Sequence, residues 1–106
     1  MTSAGEKRRF PRVKFHAAIV LHWCSQGGNG SGTVSNMSKV GCYVLTQTPE
    51  SVGDRVRISL PDVPEMEGEV RYVDEDVGMG IQFLGVTAEI EAKLVQFLSA
   101  QAAASA

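Results

Sequence analysis

The alternation of apolar and polar residues in several short segments is the feature that most constrains this fold. In residues 13–23 the apolar side chains share one face of an extended chain, because Val13, Phe15, Ala17, Ile19, Leu21 and Trp23 alternate with their neighbours. A period of two is the repeat of a β-strand rather than of a helix. The predicted strands cover residues 13–23, 33–35, 42–46, 55–60, 66–72 and 79–83. Turn-rich segments separate them, so the pattern predicts a six-stranded antiparallel β-barrel.

The periodicity changes after the last predicted strand. Apolar residues then recur at helical spacing at Val86, Ile90, Leu94, Phe97 and Leu98. Thr87 is placed to cap this helix at its N-terminus. The expected organisation is an all-β barrel with a C-terminal helix over residues 13–99, a flexible basic leader at 1–12 and a frayed, alanine-rich tail at 100–106.

Length and composition favour one soluble domain. The chain has 106 residues, of which 43% are hydrophobic and 21% charged, and it contains two cysteines. This is enough for a single core and too few cysteines for a disulfide scaffold. No apolar run is long enough to cross a bilayer, and residues 1–12 lack the apolar core of a signal peptide. We therefore expect a cytoplasmic protein without membrane insertion.

Charge is distributed unevenly along the chain. Residues 1–16 carry five basic residues against one glutamate, whereas the whole chain has a net charge of −2. The basic leader is either a solvated tail or an arm that binds a small anion. The isoelectric point of about 5.6 argues against binding of a nucleic-acid polymer, which favours basic residues spread over one face.

Residues with catalytic or metal-binding chemistry are not grouped in a usable way. His16 and His22 are six positions apart on the predicted outer face of one strand, about 20 Å apart, too far to share a metal ion. Ser38 has no histidine and acid partners at a recognisable spacing. The acids at 74–76 are typical of a solvated turn. We expect no enzyme activity, no metal and no cofactor.

Two short motifs contain groups suited to an anionic ligand. Arg8 and Arg12 are four apart just before the first strand, and a guanidinium group fits phosphate oxygens and the guanine O6/N7 edge. Asn36, Ser38 and Gly41 form an Asn-x-Ser-x-x-Gly turn between two strands, where glycine allows close approach to a ligand or a positive φ. Taken singly, the first motif also fits a solvated tail and the second an ordinary Asx or Ser turn.

These two motifs, in this order, resemble the motifs of the PilZ domain family. Members of that family are bacterial receptors for the second messenger cyclic di-GMP. The resemblance extends from about Lys7 to Leu98 and includes residues 78–83, which are similar to the family's closing strand. It implies a barrel with a C-terminal helix and an N-terminal switch that binds the ligand.

The resemblance also implies roles for individual residues. The expected ligand-binding residues are Arg8, Arg9, Arg12, Asn36, Ser38 and Gly41. Lys7 stands where many members have another arginine. This departure puts in doubt a bidentate contact at position 7 and the number of nucleotides bound per chain. Tyr72 is similar to an aromatic residue that some members place near the ligand, although its phase in the alternation favours the core. Arg71 is predicted to face outward into solvent.

The function expected from these features is that of a non-enzymatic cyclic di-GMP receptor. Binding would order the leader and change contacts with an effector protein that the sequence does not identify. Two alternatives remain at this stage. One is a PilZ-like adaptor that binds no nucleotide, and the other is a barrel of the OB type that binds single-stranded nucleic acid, which would need aromatic residues on a basic face.

Overall fold

The computed structural model describes residues 13–14 and 19–105, with side chains described from Ile19 to Gln101. Its elements in chain order are β1 (Val13–Lys14), β2 (Val20–Ser25), β3 (Gly28–Met37), β4 (Gly41–Leu45), β5 (Arg55–Leu60), β6 (Val63–Asp74), β7 (Gly78–Leu84) and α1 (Ala88–Ser105). The leader with Lys7, Arg8, Arg9 and Arg12 lies outside the described residues, as does His16.

The strands close into an antiparallel ring. Hydrogen-bonded neighbours follow the order β3-β2-β5-β6-β7-β4, and the pairing of β4 with β3 completes the circle. β1 pairs with β3 beside β2, and the Val34 N–H donates to the Ile19 carbonyl at 2.9 Å between them. β1 and β2 therefore pair with successive stretches of β3. The predicted six-stranded barrel is confirmed for the described part of the chain.

The core lies inside the ring and is completed by the helix. Leu21, Ile58, Val70 and Met79 point inward and are fully buried. This burial follows the alternation, as in β5, where every second residue is buried. α1 packs against β6 and β1 and buries Leu94.

The helix begins as predicted and continues further than predicted. The Ile90 N–H donates to Thr87 Oγ1 at 3.2 Å, which confirms Thr87 as the cap. α1 continues to Ser105, into the segment expected to fray. Within residues 13–14 and 19–105, no helix combines the length and apolar character needed to cross a bilayer.

β2 and β3 extend further toward each other than the predicted strands at 13–23 and 33–35, so the turn-rich segment between them is shorter than predicted. The turn contains only Gln26 and Gly27, and β3 already begins at Gly28. A Cβ at Gly30 would overlap the Trp23 ring, and one at Gly32 would lie 2.5 Å from the Leu45 carbonyl oxygen. These glycines allow close packing in a strand, and the predicted β3 began too late because Gly30 and Gly32 were treated as turn residues.

The predicted inward phase of Tyr72 was also wrong. Val70 pairs with Ile81 and Tyr72 pairs with Gly80, so Arg71 is an extra residue in β6, a β-bulge. The bulge shifts the alternation by one position. Tyr72 therefore lies on the outer face of the barrel with 49% of its surface exposed.

Candidate functional site

The Asn-x-Ser-x-x-Gly motif forms the turn between β3 and β4. The Ser38 N–H donates to the Gly41 carbonyl at 2.9 Å, and the Val40 N–H donates to Ser38 Oγ at 3.2 Å. Ser38 is only 1% exposed. Its hydroxyl therefore acts within the turn itself, as in the Ser turn that the sequence left open.

Gly41 is required for the close approach of β4 to β7. A Cβ at this position would lie 2.5 Å from the Ile81 carbonyl oxygen of β7. Gly41 is not among the residues with positive φ, so of the two alternatives left open for this glycine the left-handed conformation is not the one adopted. The glycine brings the turn close to the wall formed by β7, and the Phe83 N–H donates to the Val40 carbonyl there at 2.9 Å.

Asn36 lies on the outer face of β3, next to the start of β1. It pairs in register with Lys14 of β1 and with Tyr43 of β4. Residues paired across neighbouring strands share a face. Tyr43 lies between the buried residues Cys42 and Val44, so both Tyr43 and Asn36 face outward.

Two tyrosines continue this outer row. Their rings are stacked, with centroids 5.9 Å apart and an interplanar angle of 25° between Tyr43 and Tyr72. A Cβ at Gly80 would overlap the Tyr72 ring, so this glycine lets the ring lie flat on β7. The row therefore runs from Asn36 through Tyr43 and Gly80 to Tyr72.

An acidic residue holds the first tyrosine in place. The Tyr43 hydroxyl donates to Asp74 Oδ2 at 2.6 Å. This hydrogen bond, together with burial and the carboxylate charge, raises the pKa of Tyr43 to about 12. Tyr43 was not among the candidates from sequence, because only the register of β4 with β3 and β7 places it in the row.

A groove of about 170 Å³ opens beside Gly41, and we call it the Arg71 groove. Its lining includes Val40, Gly41, Arg71, Tyr72, Gly80 and Gln82. Arg71 Nη1 donates to Gln82 Oε1, so the guanidinium lies over the groove and is not merely solvated. None of the groove's described lining residues is acidic.

A larger groove of about 590 Å³ lies beyond the end of β4, and we call it the acidic groove. It is formed by the loop at 46–54 and the β6–β7 turn, and its lining includes Glu50, Glu75 and Asp76 but no lysine or arginine. Neither groove has a metal site, because no group of three or more metal-binding side chains occurs among the described residues.

Of the residues singled out from sequence, Gly41 and Tyr72 line the Arg71 groove, and Asn36 lies in the outer row that ends at Tyr72. Ser38 lies buried in the turn between Asn36 and Gly41. The described residues that were considered for catalysis or metal binding lie apart, since His22 faces outward on β2 and the acids at 74–76 belong to the β6–β7 hairpin.

The family is decided by a comparison of the whole chain. The sequence profile of the PilZ domain family matches residues 6–100. This chain belongs to the PilZ domain family. The match includes the arginine motif of the leader, the Asn-x-Ser-x-x-Gly turn and most of the helix, so the resemblance to the family is confirmed. No curated protein sequence matches the chain.

Solved structures show the same fold at low sequence identity. The PilZ domain of YcgR from Escherichia coli, solved with c-di-GMP, matches with a TM-score of 0.81 and 14% identity, over 93% of this chain and 94% of that one. MrkH of K. pneumonia, in complex with c-di-GMP, has a TM-score of 0.74 and 18% identity, over 93% and 54%. The inhibitor of motility MotI/DgrA from Bacillus subtilis has a TM-score of 0.72 and 16% identity, over 100% and 58%. The chain thus spans little more than half of these last two proteins.

Proposed function

We propose that this PilZ domain is a non-enzymatic receptor for cyclic di-GMP. Membership of the family supports this function, as does a fold shared with PilZ proteins that were solved with c-di-GMP. The observation that carries the proposal is the register of β1 with β3, which pairs Val13 with Met37 and Lys14 with Asn36.

This register supports a leader that joins the barrel beside the candidate site. Arg12 is bonded to Val13, so their Cα atoms are about 3.8 Å apart. Val13 in turn pairs with Met37, the neighbour of both Asn36 and Ser38. The arginine motif and the turn motif are far apart in sequence, yet the barrel brings the attachment point of one beside the other. A dianion bound beside the turn would therefore lie close to the point where the leader joins the barrel.

The roles follow from the chemistry of each group. Arg8 and Arg12 bind phosphate oxygens and guanine edges through their planar forks, with assistance from Arg9. Lys7 contributes charge without a fork. Asn36 offers an amide to a guanine edge.

The remaining site residues act through shape and stacking. Ser38 holds the turn, while Gly41 keeps it close to β7 so that a ligand can lie against the wall. The exposed Tyr72 ring offers a flat face on which a base can stack.

In this proposal, ligand binding also changes the surface that the domain presents to an effector protein. The basic side chains of residues 7–12 repel one another without an anion, and a dianion between them and the turn removes that repulsion. Fixing about five residues costs on the order of 5–10 kcal/mol, which several charged hydrogen bonds of about 1.5–3 kcal/mol each can offset. The ordered leader then presents a new surface to an effector protein.

Amide hydrogen exchange tests this switch. Protection at residues 7–13 should rise sharply with cyclic di-GMP, while residues 56–60 in β5 change little. A leader that is already protected without ligand, or that stays unprotected at saturation, would rule out the switch while leaving binding intact.

Isothermal titration calorimetry tests the receptor function itself. Wild-type protein should bind cyclic di-GMP saturably and show no comparable heat with GTP or a short oligonucleotide. Binding of the oligonucleotide alone would favour the nucleic-acid alternative. No heat with any of the three would favour an adaptor that works without nucleotide.

A further inference from the structure

The bulge in β6 places two neighbouring side chains on the same face of the barrel. In a regular strand Arg71 and Tyr72 would point to opposite faces. Here the extra residue in β6 leaves both exposed on the outer wall. Bulges often occur beside functional sites, where they change the direction of a side chain. Both residues line the Arg71 groove together with Gly41.

The charge of Arg71 is available to a ligand. Its hydrogen-bond partner is the neutral amide of Gln82. The two ion pairs found among the described residues involve Lys39 with Glu91 and Arg57 with Glu65. Among the described residues, Arg71 is thus oriented by an amide and has no carboxylate partner. Such a guanidinium can exchange the amide for two acceptors of a ligand at little electrostatic cost.

The pair matches the two surfaces of a guanine base. An aromatic ring accepts the face of a base by stacking. A guanidinium fork donates two hydrogen bonds to O6 and N7 on its edge, and adenine has only one acceptor, N7, at the equivalent positions. We propose that Arg71 is a guanine-reading residue of the barrel wall, which acts on a base of cyclic di-GMP that lies against Tyr72. This inference rests on the proposed function and adds a specificity residue that belongs to neither sequence motif.

The test compares the affinities for cyclic di-GMP and cyclic di-AMP of wild type and two variants. Arg71→Ala removes the fork, and Arg71→Gln keeps a polar group beside Gln82. Both should weaken cyclic di-GMP binding by roughly 5- to 150-fold, the range of one bidentate arginine–guanine pair. The affinity for cyclic di-AMP should change by less than a factor of about two. The ratio of the two affinities, which measures the preference for guanine, therefore becomes smaller. Thermal stability should stay close to wild type because the side chain is exposed.

Arg57→Ala is the matched control. Arg57 is also an exposed arginine on an outer strand face, but it pairs with Glu65 away from the groove. Its loss should leave both affinities unchanged.

The outcomes separate this inference from the proposed function. If wild type binds cyclic di-GMP and the Arg71 variants keep its preference, or lose both nucleotides equally, the inference is overturned and the receptor function stands. Absence of wild-type binding overturns both.

Discussion

Two grooves of this barrel differ in size and in charge, and the smaller of the two is the better candidate for an anionic ligand. The acidic groove measures about 590 Å³ and is lined by three carboxylates. The Arg71 groove measures about 170 Å³ and has a guanidinium and a tyrosine in its wall. A dianion is repelled by the first and attracted by the second. Volume alone therefore does not locate the site.

The grooves also differ in how they are built. Loops and a turn form the acidic groove, and Glu50 is fixed there by hydrogen bonds from Trp23 Nε1 at 2.9 Å and Ser25 Oγ at 3.1 Å. The Arg71 groove lies on paired strands, with Gly41, Gln82 and Tyr72 on three of them. A site on rigid strands holds its groups more precisely than one on loops.

The largest expected effect comes from the leader arginines. Arg8→Ala and Arg12→Ala should each cost about 2–5 kcal/mol of binding free energy, or roughly 30-fold and more in affinity for cyclic di-GMP. Glu75→Ala in the acidic groove is the control and should leave binding nearly unchanged. Calorimetric titration measures both. Equal losses in the leader variants and in Glu75→Ala would remove the distinction between the grooves.

Gly41→Ala should destabilise the fold itself. The added Cβ meets the backbone oxygen of Ile81 at 2.5 Å, and backbone cannot rotate away. We expect a loss of about 1–3 kcal/mol in the free energy of unfolding, measured by denaturant titration. Gly27→Ala is the matched control, because its Cβ would meet only Ser25 Oγ, at 3.8 Å. Similar stabilities for the two variants would show that β4 and β7 are not in close contact.

Asn36→Ala should change the choice of base more than the total affinity. Base-edge contacts specify, whereas phosphate contacts mostly position. The preference for cyclic di-GMP over cyclic di-AMP should fall several-fold in competition binding. If both nucleotides are lost equally, or neither is affected, Asn36 does not read a base.

The smallest effect concerns the Tyr43–Asp74 pair. The pKa of Tyr43 is about 12 in the folded protein, against about 10 for tyrosine in an unfolded chain. Its stabilising contribution is fully present below about pH 10 and is lost as the pH rises through about 12. The stability of wild type should therefore fall more over this range than that of Tyr43→Phe. Parallel unfolding curves at pH 9 and pH 11.5 for the two proteins would contradict this hydrogen bond.

The general plan of this domain could be read from local patterns. Alternation in residues 55–60 predicted which face of β5 is buried, and Thr87 predicted the start of the helix. Both features depend only on residues that are close in the sequence. The turn at Asn36 could be placed for the same reason.

The features that complete the candidate site depend on pairing between distant strands. The bulge at Arg71 exists only relative to β7, so alternation within β6 predicted the wrong face for Tyr72. Tyr43 joins the row because it stands opposite Asn36 and beside Gly80. Gly30 and Gly32 were misread because their neighbours, Trp23 and Leu45, belong to other strands. No local signal contains these contacts.

The most direct test of the account is a titration of isotope-labelled wild-type protein with cyclic di-GMP, followed by amide chemical shifts in nuclear magnetic resonance spectra. We expect saturable shifts centred on residues 36–41, 71–72 and 80–82, with residues 46–54 and 75–77 unchanged. Shifts centred on the acidic groove, or none at saturating ligand, would contradict it.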